Sequence, residues 1–465
     1  MEAITSEDHK SGHVDDKLEN LDSVEEMPRL KNTGISFCYH VSQDDLPSDE
    51  NMPRDGREFL INILDLPGQV DLAVDVSAAL RVADGALVVF DCIEGMAMET
   101  EAVLRQALVE RIRPMIAINK LDLGFLEFQL DWESMYTTLF KHVEKGNQVV
   151  SSYRDDAMSD ISICPVRGNV AFSAGLHGWA FTIPMFARSY AAKFGISEEK
   201  MADRLWGDHY FAAGEKRWKQ EGQASERAFN LFILDPIGKI FSACMNKQTE
   251  KLKKMLSALN IKLSDEELEL KGEVLLRRTL RSWLPAQKAL LQPIIRHLPS
   301  PAEAQRYRIE LLYSGPLDDA CAAGIRNCDP AAPLLVYVAR LFPSGADKVR
   351  FHAFGRVYSG TVTDGTTLRI MGPMYSPGRK EDLFVKPLQR LMVLAGVKME
   401  LLPPGSSVPA GNIWWGPPPG SLLPQSPLPH SRWGGAPPCS PLLQHTFPSL
   451  LLGGPQPSPL LSIAG

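Results

Sequence analysis

The sequence predicts a largely parallel α/β domain carrying a helical insertion, followed by a small β-barrel, with segments at both ends that do not fold. Three observations predict it. Apolar runs that end on a carboxylate or an amide, "INILD", "ALVVFD" and "MIAIN", alternate with helical stretches. Strands alternating with helices build parallel sheets whose carboxyl ends carry the functional loops. Residues from about 180 to 296 hold mostly helix signals, and from His297 onward short strands alternate with turn residues.

Residues 1–28 form an acidic lead-in, poor in aromatics and without periodicity, which reads as disordered. In "TGISFCYHV" Ile35, Phe37, Tyr39 and Val41 share one face, a period of two, and "REFLINILD" follows after a polar loop, so the two are expected to pair antiparallel. The period then changes: "VDLAVDVSAALRVAD" is helical, "GALVVFD" a buried strand, "METEAVLRQALVERI" an amphipathic helix and "RPMIAIN" another buried strand. Within the helical stretch, Ser264 to Glu267 forms a complete capping box and Ser197 to Lys200 an imperfect one. "RYRIELLYSG", "APLLVYVARLF", "RFHAFGRVYSG" and "TTLRIMG" are expected as barrel strands, and the proline-rich stretch after Ile413 as disordered, because it can supply neither ladder hydrogen bonds nor a patterned core. The divisions are therefore 1–28, 29–296, 297–413 and 414–465.

Composition narrows the function classes. The chain has 465 residues, 44% of them hydrophobic and 23% charged, which suits a folded multidomain protein. The seven cysteines stand singly, without a CxxC pair, which fits a reducing compartment and argues against a zinc or redox centre. No apolar run reaches the roughly 18 residues of a membrane span, and the first residues lack the order of a signal peptide. A cytoplasmic protein is expected. With a net charge of −7, attraction to nucleic acid is not written into the whole chain and has to come from a local patch. "LRRTLRSWLP", with Arg277, Arg278 and Arg281, is one such patch, or else a solvated helix face.

Three short motifs sit at strand ends. In "DLPGQ", Asp65 can hold a magnesium ion through water, while Pro67 and Gly68 make a turn whose bare N–H can approach a phosphate oxygen. In "NKLD", Asp122 can accept the N1–H and N2–H₂ donors that guanine presents side by side and adenine lacks. Asn119 can bond the base edge, and the stem of Lys120 can cover the purine face. In "SAG", Ser173, Ala174 and Gly175 can bring backbone N–H groups to the base oxygen. Each is weak alone; in this order, each after a strand, they point to a guanine-nucleotide fold. His177, between glycine turns, reads as structural.

"DLPGQVDLAVDVSAALRVADGALVVFD", "ETEAVLRQALVERIRPMIAINKLD", "SAGLHGWAF", "LWGDHYF", "HLPSP" and "GRVYSG" together resemble the elongation factor 2 family of eukaryotes and archaea, the ribosomal translocase GTPases, from about Arg29 to about Ile413. The resemblance implies a P-loop-type G domain with a helical insertion and a second-domain β-barrel. It also implies GTP and GDP as ligands with Mg²⁺, hydrolysis of GTP to GDP and phosphate, and the ribosome, its RNA and proteins, as partner. Neither membrane nor DNA is implied, and the protein is expected as a monomer. Asp65, Pro67 and Gly68 would lie in switch II, Asn119, Lys120 and Asp122 would read guanine, and Ser173 to Gly175 would support the base.

Four departures bear on chemistry. No GxxxxGK[ST] occurs in the chain, so the phosphate-binding loop and the strand and helix around it are missing, which would leave "INILD" and "ALVVFD" without a shared neighbour. Arg29 stands where the family's magnesium-binding threonine is expected, and a guanidinium cannot coordinate a cation. Gln69 stands where the family carries the histidine that positions the attacking water; a glutamine can orient that water, as in small GTPases, or mark a chain that no longer hydrolyses, the reading preferred here. The barrel pattern stops at "VPAGNI", which reads as a barrel truncated at its end. The alternative function is accordingly that of a nucleotide-binding-deficient relative without translocase activity.

Overall fold

The computed structural model describes residues 34–41, 58–66, 73–153, 155–158, 160–212, 214, 215, 217–219, 225–259, 261–344, 350–372, 374–376, 378–388, 391–395, 398–402, 406–416 and 462–464. Strands β1 (Gly34–His40) and β2 (Glu58–Leu64) pair antiparallel, Gly34 opposite Leu64 and His40 opposite Glu58, as the alternation anticipates. Their apolar face, with Phe37, Tyr39, Ile61 and Ile63, packs beside Leu87, Met115 and Leu291.

The central sheet has the order β3 (Gly85–Asp91), β4 (Arg113–Asn119), β5 (Val170–Ala174), β6 (Trp179–Phe181). The first three are parallel and β6 runs antiparallel to β5. β4 is apolar and buried along its middle, as a central parallel strand requires. The register sets Asp91 opposite Asn119 and Ile118 opposite Phe172, so the strands deliver Asp91, Asn119 and Ser173 to one edge. Among the described residues β2 forms no ladder with this sheet. β3 is its edge, with Val89 half exposed.

Helices α1 (Ala73–Val82), α2 (Met98–Val109), α3 (Leu121–Leu126) and α4 (Trp132–Ser151) connect or flank the strands, α4 being capped by Asp131, which accepts the Ser134 N–H at 3.0 Å. Then come α5 (Ile183–Phe194), α6 (Glu198–Leu205), a small sheet of β7 (Tyr210–Ala212), β8 (Arg217–Lys219) and β9 (Glu226–Arg227), and α7 (Asp235–Met245), α8 (Thr249–Ala258), α9 (Asp265–Glu269), α10 (Gly272–Trp283) and α11 (Ala286–His297). Both Ser caps form: Ser264 and Glu267 make the complete box, and Ser197 accepts the Lys200 N–H. Phe90, Ile118 and Phe172 of the sheet share one core with Trp179, Phe229, Ile237 and Leu280 on one face of the sheet, while α11 packs on the other through Leu290 and Leu291, beside Met115 and Ala117.

Two expectations are corrected beyond this point. "RYRIELLYSG" lies largely in a helix, α12 (Pro301–Leu312), not a barrel strand, and α13 (Ala320–Asn327) follows it. Ser300 caps α12 by accepting the Glu303 N–H and Pro301 starts it, so the local Ser-Pro-x-Glu signal outweighs the apparent alternation of Tyr307, Ile309 and Leu311. The barrel therefore begins at β10 (Leu335–Ser344), not at His297. It continues with β11 (Arg350–Ser359), β12 (Thr361–Thr363), β13 (Thr367–Met371), β14 (Leu383–Pro387), β15 (Met392–Ala395), β16 (Lys398–Leu401), β17 (Ser407–Pro409), β18 (Ile413–Gly416) and β19 (Ser462–Ala464). Its main sheet runs β14-β13-β19-β10-β11-β18-β15-β16. The stretch after Ile413 is thus not wholly without structure: residues 413–416 pair with β11, and 462–464 join β10 and β13. Both stretches lack proline, so each can offer the ladder hydrogen bonds that neighbouring strands need.

The C-terminus of α1 is held from outside its own domain. Arg308 of α12 donates to the carbonyls of Leu80 (3.2 Å), Ala83 (2.6 Å) and Glu110 (2.9 Å). Arg356 of β11 donates to Val82 O at 2.6 Å and pairs with Asp84 at 2.7 Å, while the Tyr358 hydroxyl donates to Arg81 O at 2.8 Å. The last carbonyls of a helix lack partners within it, and buried cations suit that end of the helix dipole.

Candidate guanine-reading site

β4 ends at Asn119, and Lys120 then takes a left-handed conformation (φ 64°) that turns the chain into α3. Leu121 is fully buried and anchors this turn. Asn119 ties the turn to the next strand: its Oδ1 accepts the Gly175 N–H at 2.8 Å. The Ser173 hydroxyl lies 3.2 Å from the same oxygen and 3.3 Å from Ile118 O, with one hydrogen to give to either. The Cys92 N–H donates to Asn119 O at 2.8 Å, joining the end of β3 to the same turn. A Cβ on Gly175 would stand 3.3 Å from Asn119 Oδ1, so a glycine is what lets backbone and amide meet here.

Lys120 Nζ lies 2.7 Å from Asp91 Oδ2, and the other oxygen of Asp91 accepts from the N–H groups of Ile93 (2.7 Å) and Glu94 (3.0 Å). Burial opposes the charge on Asp91, yet Lys120 and the two N–H groups outweigh it and hold the carboxyl below the usual carboxylate range. Lys120 keeps most of its stem exposed, as covering a planar ring requires. Asp122, in the first turn of α3, is 4% exposed. Burial, followed by the charges of Asp91 and Asp122, pushes the Cys92 thiol up to about 12, so Cys92 is an inert part of the floor.

Of the residues singled out in the sequence, Asn119, Lys120, Asp122, Ser173, Ala174 and Gly175 come together at the carboxyl edge of the sheet. Asp65 lies just past the end of β2 with an exposed side chain. Pro67, Gly68, Gln69 and Arg29 lie outside the described residues. For magnesium, Asp65 offers one exposed carboxylate, and among the described residues no group of three or more His, Cys, Asp or Glu side chains is gathered to hold a metal. The described donors are therefore too few to enclose the ion. The three arginines of "LRRTLRSWLP" do not form one solvated face. Arg278 pairs with Glu267, Arg281 Nε donates to His177 O at 3.2 Å, and the Arg277 Nε is buried.

Sequence reasoning missed Asp91, whose signal was an acid ending the apolar run "ALVVFD", in the same pattern as Asp65. It also set aside His177, which is 1% exposed with Nδ1 3.2 Å from Asp122 Oδ2 and Nε2 donating to Glu273 Oε1 at 2.8 Å. Among the described residues no helix is long and apolar enough to cross a membrane. The family model of the elongation factor Tu GTP binding domain matches residues 1–300, the stretch that holds the whole of this edge. With well over half of its length matched, the chain belongs to the elongation factor Tu GTP-binding-domain family of translational GTPases.

Proposed function

We propose that this chain is an elongation factor 2-type protein of translation elongation, acting in the cytoplasm on the ribosome, whose guanine-reading edge is complete while its phosphate side is weak. The observation that carries this reading is the state of Asn119: its acceptor oxygen is committed to Gly175 N–H, which fixes the side chain and presents its amino group as a donor for a purine ring nitrogen. Asp122 follows three residues on, as the acceptor for guanine's paired donors. Translocation coupled to GTP hydrolysis is the activity that the likeness to elongation factor 2 supports.

The absence of GxxxxGK[ST] from the sequence favours a second reading for the chemistry itself, a nucleotide-binding-deficient relative that engages the ribosome or another protein without translocating. Equilibrium binding of GDP, GTP and ADP to the full chain, with and without magnesium, separates the two. The expected result is a weak preference for guanine over adenine that magnesium hardly changes, that Asp122→Ala abolishes, and that is accompanied by no turnover of GTP. Tight, magnesium-dependent GTP binding with turnover would establish the complete GTPase instead, and equal binding of GDP and ADP would overturn the guanine reading.

A further inference from the structure

His177 is fixed more tightly than a space-filling side chain needs to be. Its N–H donates to Ala174 O at 3.1 Å, its carbonyl accepts from Arg281 Nε at 3.2 Å, and its ring Nε2 donates to Glu273 Oε1 at 2.8 Å. The next residue, Gly178, is left-handed (φ 71°), and a Cβ there would collide with the Arg281 guanidinium. Two residues of α10, Glu273 and Arg281, thus set the orientation of one imidazole ring. What that ring faces is Asp122, whose Oδ2 is 3.2 Å from Nδ1.

An ionised carboxylate only accepts, so Nε2 carries the hydrogen given to Glu273, and Nδ1, the atom turned to Asp122, can hold that carboxylate only with a hydrogen of its own, in the doubly protonated ring. At 3.2 Å from Asp122 Oδ2, Nδ1 makes no hydrogen bond in this conformation. The charged groups around the ring are Asp122 from α3 and Glu273 and Arg281 from α10, with Arg277 acting on Glu273. The hydrogen bond from His177, then its charge, holds the Glu273 carboxyl below its ordinary range, which keeps that carboxylate an acceptor.

Resting on the guanine reading above, we infer that His177 is a positioning residue for Asp122: oriented by Glu273 and Arg281, its ring sets the attitude of the buried carboxylate and thereby the selection for a purine bearing a 2-amino group. With a hydrogen on Nδ1 as well as on Nε2, a small rotation of the Asp122 carboxyl lets Nδ1 donate to Oδ2, which pins one oxygen and leaves the group aligned for the paired N1–H and N2–H₂ donors. The helical layer then bears directly on base selection, because moving α10 moves the ring.

The test measures binding of GDP, IDP, which lacks the 2-amino group, and ADP to the full chain, with thermal melts as a check on folding. Wild type is expected to prefer GDP to IDP by about tenfold or more, the effect of one hydrogen bond to a charged group. In His177→Phe this ratio falls to about twofold or less, with IDP affinity unchanged. In His177→Asn, whose amide can stand near the place of Nδ1, most of the ratio is retained. In Glu273→Gln, a change at a half-exposed side chain, the ratio falls severalfold. A folded His177→Phe with the wild-type ratio overturns the inference; where that variant does not fold, an unchanged ratio in Glu273→Gln does so. A wild type that binds GDP no better than ADP overturns the guanine reading and this inference together, whereas a guanine preference kept in every variant overturns the inference alone.

Discussion

The proposed base side and the proposed phosphate side of this domain are built in opposite ways. On the base side, Asn119, Ser173 and Gly175 are joined across adjacent strands, and Asp91, Lys120 and Cys92 tie a third strand end to the same turn. On the phosphate side, Asp65 leaves a hairpin that shares no ladder with the central sheet among the described residues, and the helix that follows is secured at its far end by Arg308, Arg356 and Tyr358. One side draws its order from the sheet, the other from α12 and the neighbouring barrel. The proposed guanine-reading edge and the segment that carries Asp65 are thus held by different parts of the fold.

Changes on either side should separate the two. The largest effect is expected from Arg356→Met, which strips Asp84 of its buried partner and Val82 O of its donor; breaking such a pair costs about 3–5 kcal/mol. Urea unfolding followed by far-ultraviolet dichroism measures it, and a cost below about 1 kcal/mol would mean that the barrel does not hold α1. Asn119→Ala leaves the Gly175 N–H without its acceptor and should cost about 1–3 kcal/mol, while removing guanine preference. Retained preference would show that the base is read elsewhere.

The Asp91–Lys120 pair gives a pH signature. The folded carboxyl of Asp91 sits below its unfolded value near 3.8, so its contribution is present above that pH and disappears as pH falls through the folded value. In Lys120→Met the depression shrinks, the contribution is smaller and it is lost at higher pH, so the midpoint of acid unfolding should rise. An unmoved midpoint would mean that the Ile93 and Glu94 N–H groups hold Asp91 by themselves. The smallest effect belongs to Val89→Lys on the open edge of β3, expected within about 0.5 kcal/mol in thermal melts. A larger loss would show that the edge is covered in solution.

What could be read from the sequence was local. "NKLD" and "SAG" were legible because each sits within a few residues of the end of an apolar strand, where backbone geometry dictates which side chains reach the edge. Hairpin pairing of β1 and β2 was legible for the same reason, since period-two alternation survives in a partly exposed strand. The contact between His177 and Glu273 joins residues 96 apart in the chain, and that between Lys120 and Asp91 joins residues in different strand-end loops. No local pattern carries either. "RYRIELLYSG" misled because apolar residues every second position mimic a strand, while the signal that decides, the Ser300 cap, lies outside the quoted run. Strand β19 was invisible for another reason: three residues after a long proline-rich stretch have no period to detect, and only the unpaired edges of β10 and β13 give them a place.

The clamp on α1 has a mechanical consequence. A ten-residue helix is a strut about 15 Å long, rigid along its axis. Its near end follows the segment that carries Asp65, and its far end is riveted to α12 and the barrel through four consecutive carbonyls. Fraying at the far end would take from Arg308 its bonds to Leu80 O and Ala83 O and from Arg356 its bond to Val82 O, so axial thrust at the near end is poorly absorbed there. A load along the strut therefore bears directly on α12 and the barrel.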